Sequence, residues 1–281
     1  MPLNGTGALS LEAGLLAAYG VATINGQAGS NAVLTYTSLG TQFATTVIAY
    51  WHQAIVNTVI TIKPGLQDTA AGKTAAPGTG TGLGTILPHP AAAVLFTTEC
   101  IRAFHDAISG GQADSNSDQT ISKLCGDLSK GIYTYFITTK VKTIVSALPE
   151  GPTVGASGPP PLSVPVGVVV SPIVGSGEGN ISFVGNFASA KVLQKSLELA
   201  YAAAAAAGQL TGNAAATTSA LASAVALAIH GYALLAIVKT DIDLPPGQTV
   251  VGYMSTTAPP APVPATTKGG EKVGTGLGKL A

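Results

Sequence analysis

One short motif occurs three times in this chain. Gly80-Thr81-Gly82-Leu83-Gly84-Thr85-Ile86, Gly175-Ser176-Gly177-Glu178-Gly179-Asn180-Ile181 and Gly274-Thr275-Gly276-Leu277-Gly278-Lys279-Leu280 all read G-x-G-x-G-x-[Ile/Leu]. Recurrence at a spacing of about 95 to 99 residues is a mark of internal repetition. Any fold for this chain has to accommodate three copies of whatever structure carries the motif.

The residues ahead of each motif repeat as well. Val141-Lys142-Thr143, Leu148-Pro149-Glu150-Gly151 and Thr153-Val154 correspond to Val238-Lys239-Thr240, Leu244-Pro245-Pro246-Gly247 and Thr249-Val250. Pro159-Pro160-Pro161 corresponds to Pro259-Pro260-Ala261-Pro262, and the first copy keeps the shorter Ile62-Lys63-Pro64-Gly65. The chain divides on this basis into units at 1–86, 87–181 and 182–281.

Each unit opens with helical periodicity. In the first, Leu9–Tyr19 predicts a short helix. Phe43, Val47, Trp51, Ile55 and Val59 recur every fourth residue and predict a second over Thr41–Thr58. The β-branched run Val56–Ile62 equally suits a strand. In the second, Phe96, Cys100, Phe104 and Ile108 mark a helix stopped by Gly110-Gly111. Ile121, Leu124, Leu128, Ile132 and Tyr135 mark another, and Val166–Ile173 reads as strand. In the third, Leu193, Leu197 and an alanine run to Ala207 give a helix broken by Gly208–Asn213. Leu221, Val225, Ile229 and Tyr232 give the next. The expected fold is α+β: three tandem related small domains, each a two-helix hairpin with short strands and an extended Gly/Pro/Thr-rich arm.

Composition narrows the function. Hydrophobic residues make up 46% of the chain and charged residues 9%, against roughly 25% charged in an ordinary soluble domain. So little charge fits a surface buried against other subunits, and predicts an oligomer. Thirteen Lys and Arg balance thirteen Asp and Glu, with no basic cluster of the kind that binds a phosphate backbone, so nucleic acid is not an expected partner. The N-terminal stretch has no basic region followed by an apolar run, and no secretory signal is expected. Ser219–Val238 is roughly long enough to span a bilayer, but its counterparts in the other units carry Gln53, Asn57, Lys123, Asp127 and Lys130. A buried helix is the favoured reading over a membrane span.

No catalytic, cofactor-binding or metal-binding residue is assigned. A phosphate loop needs G-x-x-x-x-G-K-[S/T] ahead of a helix. Gly278-Lys279 is followed by Leu280, and Gly72-Lys73-Thr74 has Gln67 where the first glycine belongs. His52, His89, His105 and His230 form no ligand-spaced pair, and no Ser-His-Asp set stands out. Glu12, Glu99 and Glu198 each fall on a first helix, which suggests a shared helix feature. Cys100 and Cys125 read as buried free thiols rather than a pair. The glycine motifs read as the closing strands of their units, where small residues let a neighbouring backbone pack close.

Low charge, Gly/Ala/Thr/Pro richness, extended arms, glycine motifs and Leu-Pro-x-Gly turns together resemble the minor structural proteins of tailed bacteriophages. The resemblance spans the whole chain in style and carries over no functional residue. It implies a non-enzymatic virion component, a tail, baseplate or neck part or a capsid accessory protein, assembled in the host cytoplasm and acting through contacts with other structural subunits. The alternatives are a cell-surface or extracellular repeat protein such as an adhesin, and a membrane-associated protein.

Overall fold

The computed structural model describes residues 5–27, 32–62, 67–69, 72–74, 78–113, 117–148, 152–154, 166–169, 173–183, 190–211, 214–243, 249–255, 261–267 and 272–280. Two helices followed by four strands occur three times in succession. The first third holds α1 (Gly5–Gln27), α2 (Ala32–His52), β1 (Ile55–Ile62), β2 (Gln67–Thr69), β3 (Gly72–Thr74) and β4 (Gly78–Ile86). The middle third holds α3 (Pro90–Ala113), α4 (Ser117–Thr138), β5 (Lys140–Leu148), β6 (Pro152–Val154), β7 (Val166–Val169) and β8 (Ile173–Phe183). The last holds α5 (Ala190–Thr211), α6 (Ala214–Ala233), β9 (Ala236–Asp243), β10 (Thr249–Ser255), β11 (Ala261–Thr267) and β12 (Lys272–Leu280). The α+β class expected from the sequence holds.

Several boundaries differ from expectation. Helix α1 extends past Leu9–Tyr19 at both ends, α3 continues through Gly110-Gly111, and α5 runs through Gly208. Helix α2 stops at His52 rather than Thr58. Its last turn tightens, with Gln53 N–H donating to Tyr50 O and Ala54 N–H to Trp51 O, both at 3.1 Å. The β-branched residues beyond then take the extended form they favour. The four-residue stripe breaks there: Val59 is exposed, while Val56, Thr58 and Ile60 are buried. The predicted turns at Lys63-Pro64-Gly65, Pro149-Glu150-Gly151 and Leu244–Gly247, and the prolines 159–161, lie outside the described residues.

The strands form two closed rings. In the first, β1, β12, β9, β8, β5 and β4 pair in that order, all antiparallel, and β4 returns to β1. In the second, β10, β11, β2, β3, β6 and β7 do the same. The helices close likewise, each packing on the next from α1 to α6 and α6 back on α1. Strands from different thirds therefore supply one another's hydrogen bonds, and closure leaves neither ring a free edge. The described core is a single cluster to which all three thirds contribute. Three small domains, each with its own core, are not shown by this packing.

Register explains the glycine motif. Thr58 of β1 pairs with Gly82 and Gly278, Thr143 of β5 with Gly84 and Gly177, and Thr240 of β9 with Gly179 and Gly276. Val56, Val141 and Val238 occupy the next inward positions and are buried with the threonines. A Cβ on Gly84 would stand 2.7 Å from Val141 Cγ1 and 2.9 Å from Thr143 Oγ1. One on Gly179 would stand 2.7 Å from Thr240 Oγ1, and one on Gly278 2.7 Å from Val56 Cγ1. The inward space of each glycine strand is filled by β-branched side chains of its neighbours, so glycine is a steric requirement there.

Candidate functional site where helices meet barrel

Counting back from Val56, Val141 and Val238 places Trp51, Phe136 and Ala233 at one matched position, where second helix meets barrel strand in each third. Trp51 and Phe136 stack with ring centroids 3.6 Å apart and planes 4° from parallel. The indole N–H of Trp51 donates to Thr139 Oγ1 at 2.9 Å, and Thr139 donates to Phe136 O at 2.8 Å. Two of the matched positions carry large rings that stack on one another, and the third is small, Ala233. All three residues are buried.

Tyr50, Tyr135 and Tyr232 hold the preceding matched position, all buried. Tyr50 OH meets His230 Nδ1 at 2.7 Å, and Tyr135 OH meets His52 Nε2 at 3.0 Å. Tyr232 stacks on Phe183 at 4.6 Å. Between the first helices, the hydroxyls of Tyr19 on α1 and Tyr201 on α5 lie 2.5 Å apart. Phe104 of α3 matches these two tyrosines and packs edge-on against Phe43. Burial raises the tyrosine hydroxyls in every case, Tyr135 to about 12, and lowers His52 and His230. At neutral pH these groups form neutral hydrogen-bonded pairs, suited to fixing one helix against another across the ring.

The candidates raised by the sequence are dispersed. Gly72-Lys73-Thr74 is strand β3 and Gly278-Lys279 lies within β12. Both pair with strands on either side, so their backbone belongs to ladders rather than a phosphate cradle. His89 caps α3, its Nδ1 accepting from Ala92 N–H at 3.1 Å ahead of Pro90 at the first helical position. His105 lies 3.1 Å from Asp106 and edge-on to Tyr36. Asp106 also accepts from Lys123 at 2.8 Å, and these contacts, Lys123's first, hold its carboxyl below the usual range. Among the described residues no three His, Cys, Asp or Glu side chains gather as a metal site. Cys100 and Cys125 are buried free thiols, and burial pushes Cys125 to about 12.

The three glutamates do not share a feature. Aligning the buried stripes Leu11-Leu15-Ala18, Phe96-Cys100-Ala103 and Leu193-Leu197-Ala200 matches Glu99 with Gly14 and Ser196, not with Glu12 and Glu198. The helix facing this position compensates. A Cβ on Gly14 would collide with Thr46, whereas the Glu99 carboxylate lies over Gly131, 3.2 Å from where a Cβ would be. Glu99 and Gly131 line a shallow apolar groove with Phe96 and Tyr135. Ser219–Val238 is divided between α6 and β9, and no helix among the described residues is long and apolar enough to cross a membrane.

From the sequence, Trp51, Tyr135 and Tyr232 fall only on apolar helix faces, His52 and His230 have no ligand-spaced partner, and these residues are not connected with one another. Their signal was present in the repeated Val-Lys-Thr of β5 and β9, since counting from it aligns both the threonines and the tyrosines. Comparison with protein-family models, curated proteins and solved structures returns no match.

Proposed function

We propose that the chain is a non-enzymatic structural component of a viral particle, in the manner of a tailed-phage tail, baseplate, neck or capsid accessory protein, and that it acts through contacts with other structural subunits. On this reading residues 1–86, 87–181 and 182–281 are three related units wound about one axis, a single-chain counterpart of a cyclic trimer. The observation that carries the proposal is the closure of strands and helices from all three thirds around one core. Such a ring offers quasi-three-fold positions to neighbours without itself having to trimerise.

The surface supports the same reading. With neither barrel offering a free edge, partners would meet side-chain faces rather than add a strand. Val59, Leu83 and Ile144 are exposed on the barrel, and Val94, Leu95, Leu199 and Leu227 on the helices. Exposed apolar residues on a chain with 9% charge favour burial in an assembly. Imaging purified particles with a labelled chain tests the proposal. The expected result is incorporation into the virion with the three units in related environments around a three-fold or six-fold axis. Absence from particles, or recovery of the chain with membranes or at the cell surface, would refute it.

A further inference from the structure

Inside the barrel, three hydroxyls stand out. Thr58, Thr143 and Thr240 are 2%, 0% and 1% exposed, and the Oγ1 of each lacks a hydrogen-bond partner. They hold one matched position, two residues beyond Val56, Val141 and Val238, on strands β1, β5 and β9, which alternate around the ring. The positions on either side along these strands carry Val56, Ile60, Val141 and Val238, so an apolar β-branched residue suits this wall. Threonine nevertheless stands at the matched position in all three thirds.

The orientation of the hydroxyls also repeats. Oγ1 of Thr143, Thr240 and Thr58 would touch a Cβ on Gly84, Gly179 and Gly278 at 2.9, 2.7 and 2.9 Å. The methyl groups of Thr143 and Thr240 lean the other way, 2.7 Å from a Cβ on Gly82 and Gly177. Three oxygens therefore face a single glycine layer from one side, and Val56, Val141 and Val238 bound it from the other. The layer has no side chains of its own, and the three hydroxyls do not bond one another. Three unpaired buried hydroxyls would each cost about 1–3 kcal/mol, and buried polar groups are almost always paired with protein or water.

We propose that Thr58, Thr143 and Thr240 together hold one water molecule on the barrel axis, at the level of Gly84, Gly179 and Gly278. A water can donate to two hydroxyls and accept from the third, within the two to four bonds usual for an internal water. A bare ion fits less well. The described inward residues are uncharged, and an ion taken from water without a counter-charge is far more costly to bury than a neutral guest. The water ties β1, β5 and β9, one strand from each third.

The near-isosteric substitution Thr143→Val tests this with opposite signs. If the hydroxyl is unpaired, Val removes a desolvated group and the melting temperature holds or rises. If the hydroxyl binds water, Val strands the guest and its other partners, and the melting temperature falls by a few degrees. Thr143→Ser keeps the oxygen and is expected to retain more stability than Val despite losing a methyl group. A high-resolution structure of the full chain is expected to show one axial peak within hydrogen-bond distance of all three oxygens. A dry axis with Val tolerated would overturn the proposal. So would a melting temperature that depends specifically on sodium, potassium or chloride, which would assign the site to an ion.

Discussion

Gly84→Ala is the substitution whose outcome follows most directly from the barrel interior. In an exposed strand, alanine for glycine lowers the entropy of the unfolded chain and stabilises by about 0.4–1 kcal/mol where the backbone allows it. Here the added Cβ would sit 2.7 Å from Val141 Cγ1, 2.9 Å from Thr143 Oγ1 and 3.2 Å from Val56 Cβ. Carbon atoms pack best at roughly 3.5–4.0 Å, so several contacts are too short at once. The atoms in the way belong to β-branched side chains on two neighbouring strands, which have little χ1 freedom to move aside. Overpacking of this kind costs about 1–3 kcal/mol and outweighs the entropy gain. A net loss of about 1–2 kcal/mol corresponds to a melting temperature lowered by roughly 2–8 °C in a chain of this size. Thermal or urea unfolding of Gly84→Ala, Val141→Ala and the double variant measures it. Removing the Val141 methyls makes room for the new one, so the double variant is expected to lose less than the sum of the singles by about 1 kcal/mol. A Gly84→Ala variant as stable as the parent, or strict additivity with Val141→Ala, would refute the steric explanation of the motif.

Tyr19→Phe is expected to cost about 1–3 kcal/mol in denaturant unfolding, because it strands the desolvated hydroxyl of the half-buried Tyr201. The double variant Tyr19→Phe, Tyr201→Phe is expected to recover most of that loss, since Phe104 already serves the matched position. Trp51→Ala removes the Phe136 stack and the bond to Thr139, and is expected to destabilise by about 3–5 kcal/mol in the same assay. Burial lowers His52 and His230 in the folded chain, so below about pH 6.5 the unfolded state takes up more protons and stability falls. Melting temperatures are expected to hold above that pH, decline as pH drops from about 6.5 toward the lower folded values, and decline less from these two sites in His52→Gln, His230→Gln. A thiol reagent is expected to label Cys100 and Cys125 slowly in the native chain and completely in denaturant, because both are buried and protonated at neutral pH.

Features written in local sequence were readable, and those written in pairing between thirds were not. The helix-helix-strand order, the buried free thiols and the structural role of the glycine motifs follow from periodicity, composition and spacing. The end of α2 was ambiguous because Ile55 and Val59 continue a helical stripe by coincidence while belonging to a β-branched run. Closure of the barrel was hidden for a different reason. Strand β1 bonds to β4 of its own third and to β12 at the far end of the chain, and nothing near β1 in sequence specifies the second partner. The aromatic cluster was obscured likewise. Trp51, Phe136 and Ala233 have little in common as residue types until their matched position is known. The threonine ring was within reach, because Val-Lys-Thr recurs, but its meaning depends on the strands meeting around one axis.

The central claim is that the three thirds close into one ring, and the seam between β1 and β12 is where it can fail. Neighbouring amides along β1 alternate between the β4 side and the β12 side, as antiparallel pairing on both edges requires. Residue-resolved hydrogen exchange of the native chain therefore measures closure directly. A closed ring gives both sets of β1 amides between Val56 and Thr61 comparable, strong protection. Protection of the β4-facing set alone, with the β12-facing set exchanging at the rate of open chain, would contradict the ring.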